Sequence, residues 1–341
     1  MKDNLANLQV IVFSRNRHEQ LIESLRYWDK CGIQTLVLHN TSQPLNLIDI
    51  PPSTQYLVHQ GSFADRCKVV SQVLKHDYFI IASDDERYLP TALANMVMEL
   101  EENKELASVG GQAIAIMKYG LRFRTTSTYK SQINYQNLAS DFNSRFIYHF
   151  VNHQNYSGAM YRAFRRDDFR RFLILISKFA NIETPYIFEV TSELFWTLVG
   201  PSKYIDEVFW VRNWMVEPIQ TGDWDRKQYF YEWSQNPNNQ KNLESWKRRI
   251  IDEFKFLEDH LNFFKIIIDH RMNIEKNEQN RNLELRSRRQ SKTKTVLRNF
   301  LSIFKSRYQQ RALNSQLKNL GTQVKYDELK FALYSITSKV P

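Results

Sequence analysis

Cysteine is scarce: Cys31 and Cys67 are the two in 341 residues. Two thiols suit a reducing compartment and small buried apolar positions. With no pair of Cys-x-x-Cys motifs, a structural zinc site is not expected. Long apolar runs are lacking too. No stretch approaches the roughly 18–20 apolar residues that span a bilayer. Met1-Lys2-Asp3-Asn4 lacks the basic-then-apolar layout of a secretion signal, so a cytoplasmic location is expected. Glycine numbers nine, and none lies between Phe13 and His18. A dinucleotide-dependent dehydrogenase needs a glycine-rich loop there, as does the nucleotidyltransferase alternative.

What is present is apolar bulk and an uneven positive charge. Apolar residues make up 42% of the chain and aromatics 13%, enough for a sizeable core. The net charge is +10, yet residues 281–311 hold ten Lys and Arg against the single acid Glu284. The basic character therefore belongs to one segment. Within it, Leu297, Phe300, Leu301 and Phe304 share a helical stripe, with Lys294, Arg298, Lys305 and Arg307 around it. A basic amphipathic segment over 292–307 suits the anionic inner face of a cell membrane, where each cation contributes about 1 kcal/mol. A solvated linker is the plainer alternative. No nucleic acid is expected as partner, because no recognition fold accompanies the charge.

Along the first 116 residues, strand-like and helix-like stretches alternate. Strands are expected at 8–13, 35–39, 55–59, 78–82 and 106–116. Between them, Asn16 with Glu19 reads as a capping box opening a helix that ends at Gly32. Phe63, Cys67, Val70 and Leu74 mark a second helix. Pro90 suits the first turn of a third. This rhythm predicts an α/β fold with a mostly parallel sheet and helices on both faces. Residues 117–156 look irregular, an expected acceptor-binding excursion. A short strand over 156–163, helices over 167–179 and 189–198, and a strand over 204–211 follow. Leu243, Trp246, Ile250, Phe254, Leu257, Leu261, Phe264 and Ile268 are spaced three or four apart, predicting one unbroken helix. Its seam either packs on the body or forms a homodimer. The expected divisions are 1–220, a helical extension over 221–280, the basic segment 281–311, and a tail over 312–341.

Chemistry is concentrated in Ser83-Asp84-Asp85-Glu86. Adjacent carboxylates at a strand end repel unless a cation or donor groups neutralise them. Mg²⁺ or Mn²⁺ bridging a diphosphate is one neutraliser. The alternative is an acidic cap for the following helix.

The order of motifs over residues 8–212 resembles the GT-A glycosyltransferases of the family 2-like group, which build bacterial surface polysaccharides. It rests on Val10 to Arg17 with its Asn16-Arg17, on His39-Asn40-Thr41-Ser42, on Arg66, and on Asp84-Asp85-Glu86-Arg87-Tyr88-Leu89-Pro90. The resemblance implies a nucleotide-sugar donor and a glycan or lipid-linked acceptor. Ser14, Asn16 and Asn40 would line the base and ribose pocket, Arg66 would meet base or phosphates, Asp84 would face ribose or metal, and Asp85 would hold the divalent cation. Two departures stand out: His39 or Asn40 replaces the group's Asp near the base, and Ser83 replaces its first acidic residue.

An inverting transfer also needs a carboxylate to deprotonate the acceptor hydroxyl. Glu189, eleven residues before Gly200, fits the group's spacing best, with Glu193 four residues on. Gly158 resembles the small residue beside the donor sugar, and Arg212 could pair the diphosphate. His149 and His153 lie four apart, but no metal-binding frame accompanies them. The remaining alternative is a non-catalytic membrane- or nucleic-acid-binding protein on a degenerate transferase fold.

Overall fold

The structure is a computed structural model and describes residues 5–119, 122–128, 135–153, 158–179, 186–213, 229–255, 262–289 and 325–337. The basic stripe over 292–307 lies outside them.

Among the described residues, ten strands form one sheet: β1 (Leu8–Arg15), β2 (Gln34–Asn40), β3 (Thr54–Val58), β4 (Tyr78–Ser83), β5 (Glu86–Tyr88), β6 (Ser108–Tyr119), β7 (Arg122–Thr128), β8 (Gln136–Asn137), β9 (Ala163–Arg165) and β10 (Ser202–Asn213). The main order is β3-β2-β1-β4-β9-β6-β10-β5. β3, β2, β1 and β4 run parallel, as do β6 and β10, while β9 is antiparallel to both its neighbours. The expected α/β architecture, with a mostly parallel core and helices on both faces, is the one the chain adopts.

Strand periodicity explains the layers. In β1, Ile11 faces one apolar cluster while Leu8, Val10 and Val12 face the other. β4 divides likewise, Phe79 and Ile81 against Tyr78, Ile80 and Ala82. Both faces are buried, so the strands read as continuous apolar runs. On the second face lie α1 (His18–Lys30) and α3 (Pro90–Glu102); on the first lie α2 (Phe63–Val73), α5 (Arg166–Ser177) and α6 (Tyr186–Val199), with α4 (Phe142–Phe146) packed nearby.

Several local expectations are corrected. Asn16 does not cap α1: it takes a left-handed φ of 51° and its N–H donates to the Asn40 carbonyl at 3.2 Å. The capping box occurs instead at Ser62 and Asp65, opening α2. The stretch 117–156 is not irregular throughout, since β6 runs on to Tyr119 and pairs with β7, and α4 continues as a π-helix over Ile147–Asn152. The strand expected at 156–163 is a 3-10 turn, Ala159–Tyr161, before β9.

The seam over 243–268 is not one helix. α7 (Phe230–Gln235) precedes α8 (Gln240–Glu253), which stops at Phe254, and α9 (Phe263–Arg289) starts afresh. Leu243, Trp246, Ile250 and Phe254 are buried in the first cluster, and Trp246 Nε1 donates to Thr191 Oγ1 of α6 at 2.9 Å. The described part of the seam is packed within the chain; Leu257 and Leu261 lie outside the described residues. Within the expected tail, α10 (Tyr326–Thr337) buries Leu329, Ala332 and Ile336 in the second cluster. No helix among the described residues is long and apolar enough to cross a membrane.

Candidate active site

The chain passes from β1 to β2 and β3 on one side and returns to β4 on the other. The carboxyl ends of β1 and β4 thus flank a topological switch point, where open α/β sheets bind ligands. Phe13 pairs with Ser83 in that register, so the residues following each face one another across the crevice.

Ser14 Oγ donates to Asp84 Oδ2 at 2.6 Å. Arg17 completes the group, with Nη1 2.7 Å from Asp84 Oδ1 and Nη2 3.0 Å from Asp85 Oδ2. Burial lowers the guanidinium pKa, but Asp84 and then Asp85 more than offset this, so the net shift is upward. Asp84 is pushed up to about 6, chiefly by burial and against the pull of Arg17. Its side chain is 3% exposed and that of Asp85 21%, so Asp85 is the more accessible of the two carboxylates.

The next two residues fix the turn. Arg87, buried, donates through Nη1 to the carbonyls of Asp84 at 3.2 Å and Glu86 at 2.8 Å, and through Nε to Ser335 Oγ of α10 at 3.2 Å. Glu86 is buried and accepts from Arg212 Nε at 3.1 Å. The acidic cluster does not cap α3, because β5 intervenes. The Thr91 N–H, in the first turn of α3, donates instead to Glu328 Oε2 of α10 at 3.0 Å.

Arg66, Asn40 and Asn16 lie by the same strand ends. Arg66 is buried beside the rings of Phe13 and Phe63 and donates to the Ser14 carbonyl at 3.2 Å. Burial lowers its pKa to about 10. Asn40 Nδ2 donates to the Gly61 carbonyl at 2.9 Å. Asn16 is exposed beside them. His39 is fully buried, its Nδ1 2.7 Å from Tyr56 Oη, and burial with His18 and Arg66 nearby lowers its pKa to about 4. Gly158 takes a left-handed conformation, φ 59° and ψ 32°, which glycine adopts without strain. Arg212 lies over the Trp210 ring as well as against Glu86.

Glu189 and Glu193 project from α6. A line of rings ties its first turn to the crevice: Phe13 to Phe63 at 4.8 Å and Phe63 to Phe188 at 5.0 Å. The two acids differ sharply. The Glu189 side chain is 33% exposed and that of Glu193 is wholly buried, and both face Arg271 of α9, at 3.4 and 3.6 Å. Glu189 alone of the pair is open to a substrate.

Sequence reasoning missed Arg17, Arg87 and Arg271 as partners of the acids. Arg17 did carry a signal, standing in the Asn16-Arg17 pair of the motif.

Asp85, half-exposed and carrying its Oδ2 on Arg17, fits a divalent cation as a single carboxylate ligand, with phosphate oxygens and water completing the shell. Asp84 fits less well, since both its oxygens are engaged.

No protein-family model matches the chain, and no curated protein matches it. Among solved structures, the crystal structure of residues 1–349 of TarS from S. aureus is similar, with 12% identity over 75% of this chain and 74% of that one and a TM-score of 0.37. Likeness at that level assigns no chemistry.

Proposed function

We propose that the protein is a GT-A glycosyltransferase moving a sugar from a nucleotide-sugar donor to a hydroxyl of a glycan or lipid-linked acceptor. The observation that carries this reading is the Ser14–Asp84 hydrogen bond of 2.6 Å across the switch point, which sets an acidic turn where a nucleotide diphosphate would lie. Ser14, Asn16 and Asn40 would meet base and ribose, Arg66 would hold the β1 end in shape, and Asp85 would hold Mg²⁺ or Mn²⁺. The cation would neutralise charge building on the departing diphosphate. Glu189 would take the acceptor proton, giving inversion, and Gly158 would border the sugar.

A second reading has its own support. Arg17 already neutralises both aspartates, so its guanidinium could serve in place of a metal. Thermal-shift titration with nucleoside diphosphates and nucleotide sugars, with and without Mn²⁺, separates the two, because a bound ligand stabilises the fold by mass action. A shift that needs Mn²⁺ supports the metal-dependent form, and an equal shift in chelator supports the Arg17 form. No shift with any nucleotide would sink both.

Membrane association through 292–307 also remains a proposal. Removing residues 281–341 is a poor test, since it would strip α10 from the second cluster. Replacing Lys294, Arg298, Lys305 and Arg307 by Glu keeps α10. Vesicles rich in anionic lipid should then no longer retain the protein.

A further inference from the structure

We propose that His149, Glu193 and His270 form a second metal site, for a transition-metal dication of the Zn²⁺ type, separate from the acidic turn. His149 lies on the π-helical continuation of α4, Glu193 in the middle of α6, and His270 on α9. One ligand atom from each lies within 4.8 Å of the others, and the three residues are 1%, 1% and 2% exposed. Tetrahedral zinc sites with bonds of about 2.0–2.2 Å need donors roughly 3.3–3.5 Å apart. The donors would have to approach one another by up to about 1.5 Å on binding.

The donor chemistry favours a metal over a hydrogen-bonded polar core. His149 Nδ1 is 2.8 Å from Tyr135 Oη, which fixes the ring and leaves Nε2 without a hydrogen-bond partner. A second group holding the far nitrogen in this way is usual for a ligating histidine. His270 has one ring nitrogen near the Phe150 backbone, and neither nitrogen makes a hydrogen bond of good geometry. Buried polar atoms left in that state are costly and uncommon. Both rings are buried, and a neutral imidazole is the form that ligates.

Arg271 faces three carboxylates, Glu189 at 3.4 Å and Glu193 and Glu275 at 3.6 Å, so a metal on Glu193 would share that carboxylate with the guanidinium. Two imidazoles and one carboxylate suit Zn²⁺, Fe²⁺ or Co²⁺, whereas Mg²⁺ prefers an all-oxygen shell. Such a site would brace α6 against α9 and settle the division between the two acids of α6: Glu193 ligates the metal, leaving Glu189 for substrate. The proposal does not depend on glycosyl transfer.

The test uses the full chain without an affinity tag. Elemental analysis should find about one zinc per chain. Stripping with a chelator and refilling with Co²⁺ should give the visible absorption bands of a low-symmetry, histidine-bound cobalt, a readout that needs no variant. His270→Gln should weaken zinc binding by at least ~10-fold, while Asp85→Asn should leave it unchanged. A wild-type chain that binds neither Zn²⁺ nor Co²⁺ would overturn the proposal. So would zinc retained in His270→Gln but lost in Asp85→Asn, which would assign the metal to the acidic turn.

Discussion

Arg17 sits against Asp84, Nη1 to Oδ1 at 2.7 Å, and the same guanidinium reaches Asp85 at 3.0 Å. One side chain at the start of α1 therefore neutralises two carboxylates that would otherwise repel across a turn. Replacing it removes the main pull that keeps the buried Asp84 ionised, so its pKa should rise further. Breaking a buried pair costs about 3–5 kcal/mol, and Arg17→Ala should cost somewhat less, about 2–3 kcal/mol, because Arg17 is partly exposed. Mn²⁺ should raise the melting temperature of the variant more than that of the wild type. Equal Mn²⁺ shifts would mean that cation and guanidinium do not compete.

Asp84 and Asp85 should respond differently to removal of charge. Asp85→Asn should weaken nucleotide-sugar binding in the presence of Mn²⁺ and leave stability nearly unchanged. Asp84→Asn should disturb folding, since Ser14 and Arg17 both bond to its carboxylate. Calorimetric titration of the donor beside a thermal melt separates the two effects. Identical profiles for both variants would refute the division of roles.

Glu189→Gln should lower turnover by at least ~10²-fold with donor binding largely retained, the scale of losing a general base. Glu193→Gln should instead reduce stability, because Glu193 is buried against Arg271. Near-normal turnover in Glu189→Gln would move the base elsewhere.

His39 makes stability sensitive to acid. Its folded pKa is depressed to about 4 from 6.5, by burial first and then by the charges of His18 and Arg66. The unfolded chain therefore takes up the proton first. This contribution is present above about pH 6.5 and is lost as pH falls through about 4, at most about 3 kcal/mol. Melts of His39→Gln across that range should lose less stability on acidification than the wild type. Parallel curves would show that His39 does not titrate this way.

Glu328 of α10 bonds to the Thr91 N–H and hydroxyl in the first turn of α3. Glu328→Ala should cost about 1 kcal/mol, as for loss of a helix cap, and lower the melting temperature by roughly 2–4 °C. Unchanged melting would mean that α10 adds nothing at this end.

Much of the fold was legible in the sequence. Strands buried on both faces appear as the runs at Leu8–Phe13 and Tyr78–Ala82, Pro90 opens α3, and Gly32, at φ 70°, ends α1. Each of these depends on neighbours close along the chain. The end of α8 at Phe254 was not legible, because three-and-four spacing continues past it and the stop comes with the packing of α8 onto the body.

Residue order alone determined the alternation of strands and helices and the acidic turn at the end of β4, since periodicity and turn chemistry are local. Tertiary structure alone decided that Arg17 spans both aspartates, that Glu193 is buried where Glu189 is open, and that His149, Glu193 and His270 meet. Those partners lie 67 and 68 positions apart for Arg17 and its acids, and on three separate helical elements for the others. Only the packing of those elements fixes which side chains face one another, and no spacing along the chain encodes it.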